Sequence, residues 1–279
     1  MKERLSQLLL LLRAGFSERK ARDLYTASLG LLLFLFPFGL IFLTSGTLPA
    51  RFSWTASVFI ILIGIVTFLS ELRLETPGRA LTVLISLVVS LFLIELVGVA
   101  TGVPFGRYAY TDVLGLSVAG VPVAISVAWY AAVMNSMRIA EAGGGGSRRG
   151  RLLLVAAMAG ILTVAQDVAL EPAASRVELY WVWGGDGSVP MQNYLSWFFL
   201  TFVAVLFLTR GGQPDGEARD GLRVSSLLLF GLQWCLFAVL DLSNGHTLPA
   251  LVSLGIIGAA GILMRRSGPG IAGRGAEVR

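Results

Sequence analysis

The sequence predicts an all-α fold: a polytopic membrane bundle of about eight transmembrane helices with both termini cytoplasmic. Three observations predict it. Hydrophobic residues make up 55% of the 279-residue chain against 14% charged. Apolar runs recur at close to the length of a bilayer span. Basic residues collect in alternate loops: if the N-terminus is cytoplasmic, every Lys and Arg except Arg51, Arg107 and Arg176 falls on the inside, as the positive-inside rule requires. Unpaired backbone groups cannot face lipid, and the alternating pattern of a membrane β-strand is missing, so the spans are helices.

In order, the spans expected are Leu24–Leu43, Trp54–Ser70, Ala80–Ala100, Leu116–Met134, Leu152–Leu170, Tyr194–Thr209, Val224–Leu240 and Leu248–Met264. They form a single transmembrane domain over residues 24–264. Residues 1–23 precede it. Within them Leu5, Leu8, Leu9, Leu12 and Phe16 share one helical face beside Lys2, Arg4 and Arg19, the pattern of an interfacial cytoplasmic helix. Arg13 interrupts the Leu8–Leu12 run and no small-residue cleavage site follows, so no signal peptide is expected. Gly143–Gly146 is read as a flexible linker, and the Gly-rich basic tail over 265–279 as disordered.

The residue counts exclude several chemistries. One Cys (Cys235) and one His (His246) leave no disulfide and no His/Cys metal site within a monomer. Both lysines, Lys2 and Lys20, precede the first span, which excludes a Schiff base within the bundle. No phosphate-binding GxxxxGK[ST] or strand-based GxGxxG occurs. The net charge of +5 belongs to the cytoplasmic loops, so it implies no nucleic-acid partner. Catalysis, where present, must therefore rest on carboxylates, aromatics, Arg and bound water.

Two polar-aromatic segments stand out, Glu95–Asp112 and Gln166–Trp197, and the topology puts both on the outer face. An ionisable residue inside a membrane helix is costly and marks a functional site by default. Glu95 lies within the third span. Asp167 and Glu171, four residues apart, share a face near the end of the fifth. Two carboxyls that close in a low dielectric cannot both ionise cheaply, so one is expected to keep its proton and serve as a general acid. The alternative is that these acids hydrogen-bond helices together or pair with Arg107 or Arg176.

Tyr108, Tyr110, Tyr180, Trp181, Trp183, Tyr194 and Trp197 fall in the same segments. Any one alone would belong to an ordinary interfacial belt. Together with buried acids they can wall a water-poor pocket and stabilise a cation, which is what protonating an alkene requires. VPFGRY (Val103–Tyr108) and VPMQNY (Val189–Tyr194) also echo each other, at three of six positions.

These motifs carry a family resemblance. E-x-x-G-x-x-T-G-x-P-F-G-x-Y-x-Y, Glu95 through Tyr110, resembles the carotenoid-biosynthesis membrane proteins, the family of bisanhydrobacterioruberin hydratases and bacterial γ-carotene 1′-hydroxylases. So do Asp167, Glu171 and Pro172, followed by Trp181 and Trp183, then Val189, Pro190, Asn193, Tyr194, Leu195 and Trp197. The chain departs from that pattern at Glu171, where Asp is expected, and at Ser188 and Ser196, where Gly is.

The resemblance implies cofactor-free addition of water to the terminal C=C of an acyclic carotenoid, giving a tertiary alcohol. Asp167, then Glu95, would protonate the alkene, with Glu171 as the third catalytic carboxyl. Arg107, Tyr108, Tyr110, Trp181, Trp183, Asn193 and Trp197 would bind substrate or water. Membrane lipid and the carotenoid are the partners implied, with room for other carotenoid-pathway enzymes, in the cytoplasmic membrane. Three readings compete: an intramembrane prenyltransferase, suggested by the Asp167/Glu171 spacing; end-group cyclisation, which shares the protonation step; and a transporter or scaffold using the acids as proton relays.

Overall fold

A computed structural model describes residues 18–49, 52–73, 75–141, 147–209 and 216–266. The expected amphipathic helix over Leu5–Phe16, the Gly143–Gly146 linker and the tail from residue 267 lie outside them. Among the described residues there are eight long helices: α1 (Glu18–Ser45), α2 (Thr55–Glu71), α3 (Pro77–Thr101), α4 (Val123–Ala140), α5 (Arg148–Pro172), α6 (Met191–Leu208), α7 (Gly216–Ser243) and α8 (Thr247–Arg266). Six are long and apolar enough to cross a membrane; α2 and α8 contribute shorter apolar stretches. The expected all-α membrane bundle is thus what the chain forms. Several helices run past the expected spans at their polar ends, because only the middle of a spanning helix must be apolar.

The fourth span begins about two turns later than expected, at Val123 rather than Leu116. Ser117–Val118 (β2) and Val121–Pro122 (β3) pair instead as a small hairpin. Its turn residues Ala119 and Gly120 both have positive φ, 50° and 83°, the conformation of a two-residue hairpin turn. Pro122 then stands as the extended N-cap of α4. Apolar composition alone cannot tell a Leu-Ser-Val hairpin strand from the first turns of a span.

Helix α4 is the axis of the bundle, buried along most of its length. Small residues such as Ala124, Ala131, Ala132 and Ala140 let neighbouring backbones come close. Gly64 of α2 does the same from the other side, since a Cβ there would meet Val127 at 2.2 Å. Polar contacts fix the register: Asn135 donates to Thr67 Oγ1 at 3.0 Å, and Tyr25 of α1 donates to Ser225 of α7 at 2.9 Å. Thr163 and Thr201 link α5 to α6 at 3.0 Å.

One end of α4 carries a buried ion cluster. Arg138 holds Glu71 of α2 through both Nε and Nη2, and donates from Nη1 to Glu141 at 3.1 Å. Glu75, in the α2–α3 turn, lies 3.8 Å from Arg138 and 3.1 Å from Arg79. The cluster clamps that turn against α4.

Removing one member of a buried pair leaves its partner uncompensated, at a cost of about 3–5 kcal/mol. Arg138→Ala should therefore be strongly destabilised in reversible unfolding from mixed micelles. Glu75→Gln, a more distant and less buried partner, should lose far less. Equal losses for the two would remove Arg138 from this role.

Candidate active site

At the opposite end of the bundle the two polar-aromatic segments meet. Helix α3 stops at Gly102, whose φ of +78° ends it with an N–H bond to the Gly98 carbonyl. The chain then turns through VPFG into a short strand, Tyr108–Tyr110 (β1). Helix α5 continues past Pro172 into a π-helical turn, Ala173–Val177, and leads to Trp181–Trp183 (β4). The strands pair antiparallel, with Tyr108 opposite Trp183 and Tyr110 opposite Trp181.

Side chains alternate along a strand, so the Y-x-Y and W-x-W spacings put four rings on one face of this ribbon. Neighbouring rings sit 5.4 Å (Tyr108–Tyr110 and Tyr108–Trp183) and 6.1 Å (Tyr110–Trp181) apart between centroids. Ala109 and Val182, between them, are exposed.

The ribbon's polar edges all serve buried carboxyls. Glu95 Oε2 accepts from Tyr108 at 2.5 Å and Tyr110 at 2.9 Å, and Oε1 accepts from Trp129 Nε1 of α4 at 2.7 Å. Glu171 Oε2 accepts from the indoles of Trp183 at 3.0 Å and Trp181 at 3.3 Å. Burial first, and the neighbouring Glu95 next, hold both phenols of the ribbon well above the usual tyrosine range. They therefore remain protonated donors at any physiological pH.

Asp167 is treated differently. Only Asn193 of α6 reaches it, donating to Oδ2 at 2.6 Å and lying 3.5 Å from Glu171 Oε1. Asp167 Oδ1 is buried with no hydrogen-bond partner. Glu95, Asp167 and Glu171 are 4%, 1% and 2% exposed. The ion pairs seen among the described residues include none of the three, so the expected alternative of pairing with Arg107 or Arg176 is not what holds them.

All three acids line one cavity of about 110 Å³, with Tyr108, Tyr110, Trp181, Trp183, Asn193 and Trp197. Of the residues expected to catalyse or bind, only Arg107 is not brought into it, and of the seven aromatics only Tyr194 stays out of its lining. The Arg107 side chain is exposed, and its contribution to the ribbon is a backbone carbonyl that accepts from Gly184 N at 2.7 Å. Arg107 immediately precedes the strand, on the side away from the acids.

Sequence reasoning missed other members. Trp129 stacks on Trp197 at 3.8 Å between ring centroids and 20° between planes, making the cavity floor. It lies outside both segments, in an apolar span, and nothing local marks it. Gln166 and Gln233 also line the cavity, and a polar amide within a membrane-grade run is the signal that could have found them.

The VPFGRY and VPMQNY echo is a physical contact. A Cβ on Gly106, whose φ is +113°, would meet Pro190 at 2.6 Å. Gln192 donates to the Gly102 carbonyl at 3.1 Å and Ser196 to that of Pro104 at 2.9 Å.

A family model for carotenoid biosynthesis proteins matches residues 55–260, which takes in both segments and every acid of the cavity. The chain belongs to that family. As a member of the carotenoid biosynthesis protein family it is a multi-pass membrane protein of carotenoid metabolism. It is 30% identical over 164 residues to the bisanhydrobacterioruberin hydratase of Haloarcula japonica, a match that covers 56% of this chain and 55% of that protein. The chain thus aligns with about half the length of its curated relative. No solved structure matches the chain.

The Glu95 bonds can be tested apart from any activity. A buried hydrogen bond contributes about 0.5–1.5 kcal/mol net. A double-mutant cycle of Tyr108→Phe with Glu95→Gln should therefore show coupling of that order in unfolding experiments. Additive losses would mean that the phenol does not support the carboxyl.

Proposed function

We propose that the chain is a carotenoid hydratase that adds water to the terminal C=C of an acyclic end group without a cofactor. One observation carries the reading: an aromatic-walled cavity holds three buried carboxyls, no cation is paired with them among the described residues, and one of them keeps a bare oxygen.

The three acids receive unequal support, and hydrogen bonds to a carboxylate favour its charged form. Glu95, with three donors, is suited to be the fixed negative charge. Glu171, with two indole donors, is its counterpart on the other side of the ribbon. Asp167 has Asn193 alone and an open Oδ1, so it is the general acid. Its proton passes to the terminal alkene carbon, and the π electrons form the new C–H bond. The tertiary cation left behind faces the Trp129–Trp197 stack and the ribbon rings, whose negative π faces stabilise it, while the Glu95 charge adds long-range attraction. A water lone pair then forms the C–O bond, and the oxonium proton returns to Asp167. Water is added, and the acid is regenerated.

Position supports the same reading. With the termini in the cytoplasm, as the basic loops require, the cavity lies toward the outer face of the cytoplasmic membrane. A polyene extended through the hydrocarbon core of about 30 Å would bring its end group to that depth.

The test is pigment analysis by HPLC and mass spectrometry of cells making lycopene, or a C50 precursor with acyclic ends, and expressing this chain. The expected product is heavier by one water. Asp167→Asn should lower it by about 10²-fold or more, the usual contribution of a positioned acid, and Glu95→Gln should also lower it substantially. A product of unchanged mass would make the chain a cyclase or isomerase. Full hydration by both variants would refute the assignment of the acids.

A further inference from the structure

The cavity holds more unsatisfied polar atoms than Asp167 Oδ1. Gln166 Oε1, from the adjacent position of α5, and Gln233 Oε1, from α7 across the cavity, are also buried without a partner. Both residues line the same space as the acids, and Gln166 is only 5% exposed. An orphaned buried acceptor costs about 1–3 kcal/mol, and none of these atoms has bulk water to turn to inside a bilayer. Six donors at the cavity are committed elsewhere: Tyr108, Tyr110 and Trp129 to Glu95, Trp181 and Trp183 to Glu171, and Asn193 to Asp167. No side chain reaches either amide oxygen.

What these oxygens lack is a hydrogen-bond donor. A hydrocarbon end group carries none, whereas the second substrate of a hydration does. We infer that Gln166 and Gln233 are the positioning residues for the attacking water, each accepting one of its O–H bonds. This inference rests on the hydratase reading above. Glu171 and Asn193 suit this role less, because their polar atoms already bond to each other, to Asp167 or to the ribbon.

The chemistry follows from the hydrogen count. A water that donates both hydrogens to two carbonyl oxygens has its lone pairs free, so one can be aimed at the cation. Once the C–O bond forms, one oxonium O–H leaves its amide oxygen and gives its proton to the Asp167 carboxylate, which regenerates the acid. The cavity of about 110 Å³ exceeds the roughly 10–15 Å³ that one water requires, which leaves room for the end group beside it. The two amides also separate the two halves of the reaction. Protonation needs Asp167 alone, whereas capture needs the held water. Without capture, the cation loses a proton from a neighbouring carbon and reverts to an alkene.

That partition is the test. Membranes carrying wild type, Gln166→Met, Gln233→Met, Gln166→Glu, Gln233→Glu or Asp167→Asn are incubated with acyclic carotenoid in D2O. Hydrated product and deuterium in the recovered hydrocarbon are both read by mass spectrometry. Methionine has nearly the length of glutamine and no strong acceptor, and filling an orphaned site with an apolar side chain does not threaten the fold. The thermal midpoint in detergent checks this.

Each Met variant should still place deuterium in the hydrocarbon, while its ratio of hydration to labelling falls by about tenfold or more, as expected for a lost reactant-positioning contact. The Glu variants, which keep an acceptor, should recover part of that ratio. Asp167→Asn should lose product and label together. Met variants that lose both in proportion, or lose neither, would overturn the water assignment while leaving the hydratase standing. A wild type that neither hydrates nor labels the carotenoid would overturn the hydratase reading and this inference with it.

Discussion

Burying three carboxyls at one end of a membrane bundle is the constraint around which this end of the fold is organised. An isolated carboxylate in a medium of low dielectric is prohibitively costly, and each must find donors that bring no bulk water with them. Tyrosine and tryptophan meet both conditions: one edge donates a hydrogen bond and the rest of the ring is apolar. The β1–β4 ribbon supplies four such donors from two three-residue strands. Trp129 adds a fifth from the core of α4. The same rings that solvate the acids therefore form the walls of the cavity. That explains how buried carboxyls and apolar walls can share one cavity.

The two ends of the bundle resolve buried charge in opposite ways. At one end Arg138 is matched against Glu71 and Glu141, and Glu75 against Arg79, so each carboxylate meets a guanidinium and geometry is locked. At the other end the acids form no ion pair among the described residues, and hydrogen bonds are their direct support. A compensating cation would work against the proposed chemistry there, because it would hold Asp167 ionised where a neutral acid is needed. Helix α3 runs between the two regions, from Arg79 near its start to Glu95 near its end, roughly 24 Å along the axis at 1.5 Å per residue. The clamp holds one end of that helix while Gly98 allows the other to accommodate the ribbon. A Cβ at Gly98 would meet both Phe105 and the Tyr108 hydroxyl at 2.8 Å.

Much of this was legible in the sequence, and the parts that were not share a physical cause. Hydropathy reports composition along the chain, so the bundle and its spans could be read, and Glu95, Asp167 and Glu171 were conspicuous as acids within apolar runs. What composition cannot report is pairing. Tyr108 and Trp183 are far apart in sequence, and nothing local states that their strands form one ribbon. Period-2 spacing was visible in both motifs, but three residues are too few to announce a strand against the demand for helices. The hairpin before α4 was hidden for the same reason, and Trp129 because an indole in a span looks like core. Arg107 lies outside the cavity through alternation: in a strand, the neighbour of an inward Tyr108 faces out.

Alternation also explains why the ribbon, rather than a loop, suits this site. With a side-chain period of two, a one-residue slip of either strand would turn its two rings outward, taking both tyrosine donors from Glu95 or both indole donors from Glu171. The register is therefore held from outside the pair. Thr111 donates to the Leu179 carbonyl at 2.6 Å beyond one end, and Gly184 donates to the Arg107 carbonyl at 2.7 Å beyond the other. Gly184 has no side chain to spare, since a Cβ there would meet Arg107 at 3.1 Å. Leu179 turns into the ribbon with a φ of 53°, a conformation uncommon for a residue with a Cβ. Such a backbone persists where its surroundings over-determine it. Here the surroundings are two buried acids whose hydrogen bonds depend on the register that this turn sets.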